Sequence, residues 1–277
     1  MRHHLSLVFF VGTVAIAFPI TPARAINPPD KNLEAVLRDV VREPKKELTN
    51  DDYAKVYVLD AVNKGIKDLT GLEKCKNLAS ARLSKNQISD VKPLAGLNNL
   101  QSLDLADNKI ADVKPLADLK GLQYLELSNN VVTDVKPLAG LIRLNALYLG
   151  SNKISDIMPL AGLDRLWSLH LAKNQLKDVS AIGKLTRIST LDLNDNQIEN
   201  IAPLANLTEM NLVMIERNKI ADLKPLIDAA EKDAAGPMRF APFLRLYLDG
   251  NPLSGEAQKA ALQKAGVRLL KVEPAKK

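Results

Sequence analysis

LQSLDLADNKIADVKPLADLKG, residues 100–121, is followed by LQYLELSNNVVTDVKPLAGLIR, residues 122–143, and by LNALYLGSNKISDIMPLAGLDR, residues 144–165. The three lines align without a gap on the pattern L-x-x-L-x-L-x-x-N-x-I-x-D-V-x-P-L-x-x-L-x-x, with Val and Ile exchanging. Working outward, Asn recurs every 22 residues at 86, 108, 130, 152, 174, 196 and 218. Pro recurs at 93, 115, 137, 159, 203 and 225, with Ala181 the gap, and Asp at 90, 112, 134, 156, 178 and 222, with Asn200 the gap. A fixed period of this length marks a stack of small units, each too thin to bury a core alone.

Each position in the period has a physical task. Leu103-Asp104-Leu105 alternates apolar and polar, which predicts a short strand with one buried face. Copies of that strand stack as a parallel sheet. The chain turns away at Asn108, and a turn inside a stack strands backbone groups. An Asn side chain carries both a donor and acceptors and can satisfy neighbouring coils. Ile110, Val113, Leu116 and Leu119 fill the coil interior. Asp112 is read as the N-cap of a short helical turn, with Pro115 in its first turn. Such turns take less width than α-helices, so modest curvature is expected. The composition agrees: of 277 residues 46% are hydrophobic but only 4% aromatic, so the core is aliphatic. The fold class is therefore α/β: a right-handed leucine-rich-repeat solenoid, a curved horseshoe with a parallel concave sheet, short 3-10 or loop segments on the convex side, and a helical cap at each end.

The ends depart from the pattern. Residues 1–25 read as a secretory signal peptide: Arg2, an apolar run from Leu5 to Phe18 too short to span a bilayer, and Ala23-Arg24-Ala25 before Ile26. An uncleaved anchor is the competing reading. Residues 26–55 form a helical cap, with Leu33, Val36, Leu37 and Val40 at helical spacing over 32–42 and a second helix from Thr49. Residues 56–253 hold about nine repeats. The first is degenerate, with Lys64 in the Asn position and Cys75 as a buried filler. Asn218 to Asn251 spans 33 residues, so 11 are inserted, in the segment 227–242. Ile227–Ala235 reads as a longer helix. Residues 254–277 form a capping helix N-capped by Ser254, a last strand over Val267–Val272 and a loose tail.

The repeat resembles that of the internalins, and so does the segment Asn32-Leu33-Glu34, Leu48-Thr49 and Ile66-Lys67-Asp68-Leu69-Thr70-Gly71-Leu72. The resemblance covers nearly all of the chain after the leader. It implies a non-enzymatic repeat domain that binds a protein partner through its concave face. Many internalins also carry an immunoglobulin-like module and a cell-wall anchor. Neither is expected here, so host-cell invasion does not transfer.

Non-leucine strand positions point to the concave face. One column reads Arg82, Asp104, Glu126, Tyr148, His170, Asp192, Met214 and Tyr247; the column beside it supplies Tyr124 and Arg245. With the two positions after each strand, the face holds seven acidic residues (Asp104, Asp107, Glu126, Asp192, Asp195, Glu216, Asp249). It holds five basic ones (Arg82, Lys85, Lys173, Arg217, Arg245), a balance of 5 − 7 = −2. Aromatic residues in a polar surround suit a protein or peptide partner. The structural ladder is Asn86, Asn108, Asn130, Asn152, Asn174, Asn196, Asn218 and Asn251.

Other functions fare worse. A phosphate-reading groove is strongly basic, and Lys92, Lys114, Lys136 and Lys224 belong to a solvated convex face. Ser168, His170 and Asp192 are the residue types of a nucleophilic triad, but an open wet sheet offers no oxyanion hole. A chain left with one histidine after the leader holds no His-rich metal site, and the Asp ladder is better explained by capping than by calcium. No cofactor, metal, nucleic acid or membrane span is expected. The chain is read as an exported monomer, periplasmic or secreted, with an envelope spacer lacking a ligand as the alternative.

Overall fold

A computed structural model describes residues 27–271. The expected leader at 1–25, Ile26, and the expected strand end at Val272 with its tail lie outside the described residues. The strands are β1 Val58–Asp60, β2 Ser80–Arg82, β3 Ser102–Asp104, β4 Tyr124–Glu126, β5 Ala146–Tyr148, β6 Ser168–His170, β7 Thr190–Asp192, β8 Leu212–Met214, β9 Arg245–Tyr247 and β10 Arg268–Leu270. They form one sheet of 10 parallel strands in sequence order, paired residue for equivalent residue. Eight of them, β2 to β9, carry the face columns read from the sequence; β1 comes from the degenerate first coil and β10 falls within the last strand expected over Val267–Val272, both outside the strict period.

The middle residue of each three-residue strand faces inward, as period-two geometry requires. Leu103, Leu125, Leu147, Leu169 and Leu191 are fully buried, with the coil-filling Ile110, Val113, Leu116 and Leu119 beneath the sheet. Cys75 lies in the same layer, and burial pushes its thiol up to about 12.

The opposite side of each coil is a 3-10 turn, and proline sets where it starts. Turns at Lys92–Leu94, Lys114–Leu116, Lys136–Gly140, Met158–Gly162 and Ala202–Asn206 all begin one residue before a Pro. Where Ala181 replaces Pro, the turn starts two positions later, at Ile182–Lys184, because no ring pre-sets φ for the first turn. The Asp ladder does not fill the cap position assigned to it. Asp112 lies one residue earlier, and its Oδ1 accepts the Lys114 N–H at 2.9 Å as an Asx-turn. Asn200 repeats this with the Ala202 N–H at 2.9 Å, so that gap in the Asp series is chemically silent.

The asparagines stitch adjacent coils. Asn108 Nδ2 donates to the carbonyls of Leu83 and Leu105, each at 3.0 Å, and its Oδ1 accepts the Ile88 N–H at 3.0 Å. Asn152 and Asn174 repeat the same bonds two and three coils on. The residue before each ladder Asn is left-handed, from Lys85 (φ 58°) to Arg217 (φ 53°). Only the last coil places a glycine there, Gly250.

At the N-terminus, α1 (Lys31–Val41) starts at Asp30, whose Oδ1 accepts the N–H groups of Asn32 and Leu33. Its Oδ2 accepts those of Lys67 and Asp68, so one side chain caps the helix and ties it to the first coil. Leu33 and Leu37 are buried, but Val41 rather than the expected Val40 completes the packed face. Helix α2 (Asn50–Ala54) has a full capping box between Thr49 and Asp52. Tyr53 behind it is buried, and its hydroxyl is the one buried side-chain polar atom without a partner among the described residues.

The insertion grows out of a 3-10 turn. Helix α3 runs Lys224–Ala234, starting three residues before the expected Ile227, because Pro225 nucleates it as other prolines nucleate the short turns. The return loop hangs on Asp233, whose carboxylate accepts the N–H groups of Arg239, Phe240 and Ala241 at 3.0, 3.0 and 2.9 Å. Helix α4 (Glu256–Lys264) packs on α3 and β10. Its N-cap is Gly255 and not Ser254; the Ser254 hydroxyl instead accepts the Gln258 amide at 2.6 Å.

Candidate functional site

Parallel register brings the strand-face residues into straight columns. Arg82, Asp104, Glu126, Tyr148, His170, Asp192, Met214 and Tyr247 are successive partners across β2 to β9. Tyr124 and Arg245 stand in the neighbouring column with Ala146, Ser168, Thr190 and Leu212 between them. All ten candidates therefore share one face, but they do not form one uniform surface.

The centre is aromatic. Tyr124 leans across to Tyr148, ring centroids 5.4 Å apart and tilted by 43°, and Tyr148 stacks on His170 at 4.4 Å and 27°. These rings cover the column beneath: Ala146 and Ser168 are buried. They also desolvate their acidic neighbours. Burial raises the Glu126 carboxyl above its ordinary value, against the Ser128 hydrogen bonds that lower it and with Asp104 and Asp107 adding repulsion. Asp192 is raised for the same first reason, and burial lowers His170. Burial pushes Tyr124 up to about 12.

Toward its ends, the face holds its arginines in internal bonds. Arg82 meets Asp60 at 2.7 Å. Arg217 grips Asp195 with two nitrogens, at 2.6 and 2.9 Å, and reaches Glu216 at 3.4 Å. Arg245 donates to Asn211 at 2.8 Å. In the centre, Asp104 accepts from the Ser84 hydroxyl at 2.7 Å and Glu126 from the Ser128 N–H at 2.6 Å, but neither carboxylate has a cationic partner among the described residues.

The triad geometry is not assembled. His170 Nδ1 lies 3.8 Å from Asp192 Oδ2, beyond hydrogen-bond range. Both partners shift toward their neutral forms, so desolvation outweighs their attraction. Ser168 makes no hydrogen bond to His170 among the described residues. No group of three or more His, Cys, Asp or Glu able to hold a metal ion occurs among the described residues, and no helix there is long and apolar enough to cross a membrane.

Reading the columns from the regular repeats missed Asp60, which extends the central column and closes Arg82; its available signal was the Leu59-Asp60 pair, 22 residues before Ala81-Arg82. It also missed Trp167, 51% exposed just before β6. Trp167 lies outside the face columns, on the flank where strands begin.

Comparisons with known proteins place this architecture. A model of leucine-rich repeats, two copies per match, fits residues 76–118, 120–162 and 165–206. The chain is similar to the solved structure of internalin C2 from Listeria monocytogenes, at 35% identity over 72% of this chain and 89% of that one, with a TM-score of 0.70. Internalin F from the same organism aligns over 89% of this chain and 92% of that one at 23% identity, TM-score 0.57. A leucine-rich-repeat protein of Leptospira interrogans shares the fold at 23% identity, covering 72% of this chain and 50% of that one, TM-score 0.63. No curated protein sequence matches.

Proposed function

The chain belongs to the internalin-type leucine-rich-repeat family, and on that premise we propose that it is an exported, non-enzymatic scaffold holding a protein or peptide partner across the centre of its sheet. Leucine-rich-repeat proteins as a class are protein-interaction scaffolds. The observation that carries the site is the Tyr124–Tyr148–His170 stack beside Glu126, a carboxylate raised by burial with no ion-pair partner among the described residues, and Asp192, raised by burial with His170 3.8 Å away. Rigid aromatics flanked by uncompensated charge are the ingredients of an interface hot spot. A partner supplying Lys or Arg to Glu126 completes a pairing the chain leaves open, whereas Arg82 and Arg217 already have their partners. Ten strands about 4.8 Å apart give a face about 43 Å long, enough for an extended peptide or a protein surface and far more than a small molecule covers. Export to the periplasm or medium rests on the leader pattern at 1–25 and on the family resemblance.

The test compares wild type with the double variant Glu126→Lys/Tyr148→Ala in crosslinking and recovery from the native cell. Hot-spot truncation costs about 2 kcal/mol or more, roughly 30-fold in affinity, so the variant should lose the recovered partner. Equal recovery by both forms overturns this site; an envelope spacer recovers nothing with either.

A further inference from the structure

The flank where the strands begin has a chemistry opposite to that of the face. The residue three before each strand is Asn77, Asn99, Gly121, Arg143, Arg165, Arg187 and Glu209 from β2 to β8. Three consecutive coils thus carry arginine at one position. All three are exposed. None makes a hydrogen bond or ion pair among the described residues, even with Asp164 adjoining Arg165 in sequence. Arginines stacked on adjacent coils repel one another, and although Asp164 and Glu209 lie beside the row, no ion pair among the described residues fixes any of the three.

The same flank carries the exposed tryptophan. The sheet ladder extends one residue beyond the strands here: the Trp167 N–H donates to Asn145 O at 3.0 Å and the Ser189 N–H to Trp167 O at 2.9 Å. The backbone of Trp167 is therefore fixed two residues after Arg165 of the row. One coil earlier, Arg143 lines a shallow depression with Gln101, Gln123, Asn98 and Asn99. Moving that arrangement along by one and two coils puts Arg165 beside Asn145 and Arg187 beside Trp167.

We propose that this flank, the row Arg143–Arg165–Arg187 with Trp167 and the amide-lined depression, binds an acidic polysaccharide. Guanidinium forks take carboxylates in a bidentate manner. Asn and Gln each present a donor and an acceptor, the pairing that sugar hydroxyls require. An exposed indole offers a broad apolar face with a negative quadrupole, suited to the C–H face of a sugar ring. An acidic peptide would use the arginines but leave the amide depression and the tryptophan without a matched task. The site is independent of the sheet face, so either can fail alone.

The experiment measures binding of the full chain to polygalacturonate, dextran and polyglutamate at low salt. Wild type should bind polygalacturonate and not dextran. Arg143→Ser/Arg165→Ser/Arg187→Ser should lose at least tenfold and Trp167→Ser severalfold, both with unchanged melting because the side chains are exposed. Glu126→Lys/Tyr148→Ala should bind polygalacturonate as wild type does, which separates this surface from the face. Absent polygalacturonate binding, or an unaffected triple variant, overturns the proposal. Equal binding of polyglutamate with no effect of Trp167→Ser overturns it in favour of an acidic peptide.

Discussion

Asp233 in the insertion and Glu126 on the sheet are both carboxylates withdrawn from bulk water, and their surroundings move them in opposite directions. Burial pushes Asp233 up, but the N–H groups of Ala241, Arg239 and Phe240 outweigh it and hold the group below its ordinary value. Burial pushes Glu126 up and prevails over the Ser128 bonds. Asp30, lowered by four backbone N–H groups against its burial, and Asp52, lowered first by its bond to the Thr49 backbone, side with Asp233. Asp192 sides with Glu126. Charges that build the scaffold are satisfied by the scaffold; those at the centre of the face are left short of positive charge. A buried polar group without full compensation costs stability: Glu126 and Asp192 each accept one backbone N–H, from Ser128 and Asn194, and burial still prevails over it.

The scaffold side of this contrast should show the largest effects. Asn152→Ala strands the Leu127 and Leu149 carbonyls and the Val132 N–H, and should cost about 1–3 kcal/mol in denaturant unfolding. An unchanged midpoint would mean the ladder is not what joins the coils. Asp233→Asn should cost about 1–2 kcal/mol at neutral pH by weakening three charge-assisted bonds. Because the folded-state pKa of Asp233 is depressed, its stabilisation is present above the ordinary aspartate value and is lost as pH falls through the depressed one. The gap between variant and wild type should therefore close in acid, and a gap constant from pH 7 to pH 2 would contradict the assignment.

The scaffold was legible in the sequence because many positions encode it at once. Leu103 and Leu105 set the strand, Asn108 the turn and Pro115 the 3-10 segment, and each recurs in coil after coil. Features that residue identity does not encode stayed hidden. The left-handed residue before each ladder Asn is Lys85, Asp107, Asn129, Ser151, Lys173, Asp195 or Arg217; with no preferred type, the position carries no signal. Residues on the face could be listed, since columns follow from the period. Their energetics could not, because the pairing of Arg82 with Asp60 or Arg217 with Asp195 depends on how side chains reach across strands. The start of α3 was misplaced because Pro225 begins either a short turn or a long helix, and downstream packing decides which.

Glu126→Gln gives the smallest effect and the sharpest test of the contrast. The folded-state pKa of Glu126 is raised, so the folded chain holds this proton more tightly than the unfolded one. That contribution favours folding below the ordinary glutamate value and is lost as pH rises through the raised one. At pH 7 the ionised group is a net cost, and Gln removes it. With partial exposure and solvent screening discounted, the gain should be about 0.3–0.5 kcal/mol in a urea midpoint at neutral pH, shrinking to nothing in acid. Asp233→Asn, under the same conditions, loses stability. If the face serves a cationic partner, Glu126→Gln must also weaken that partner's binding while strengthening the fold. A residue acting only in the scaffold cannot move those two readouts in opposite directions, and a Glu126→Gln chain that is both less stable and equally competent to bind would put Glu126 with Asp233 after all.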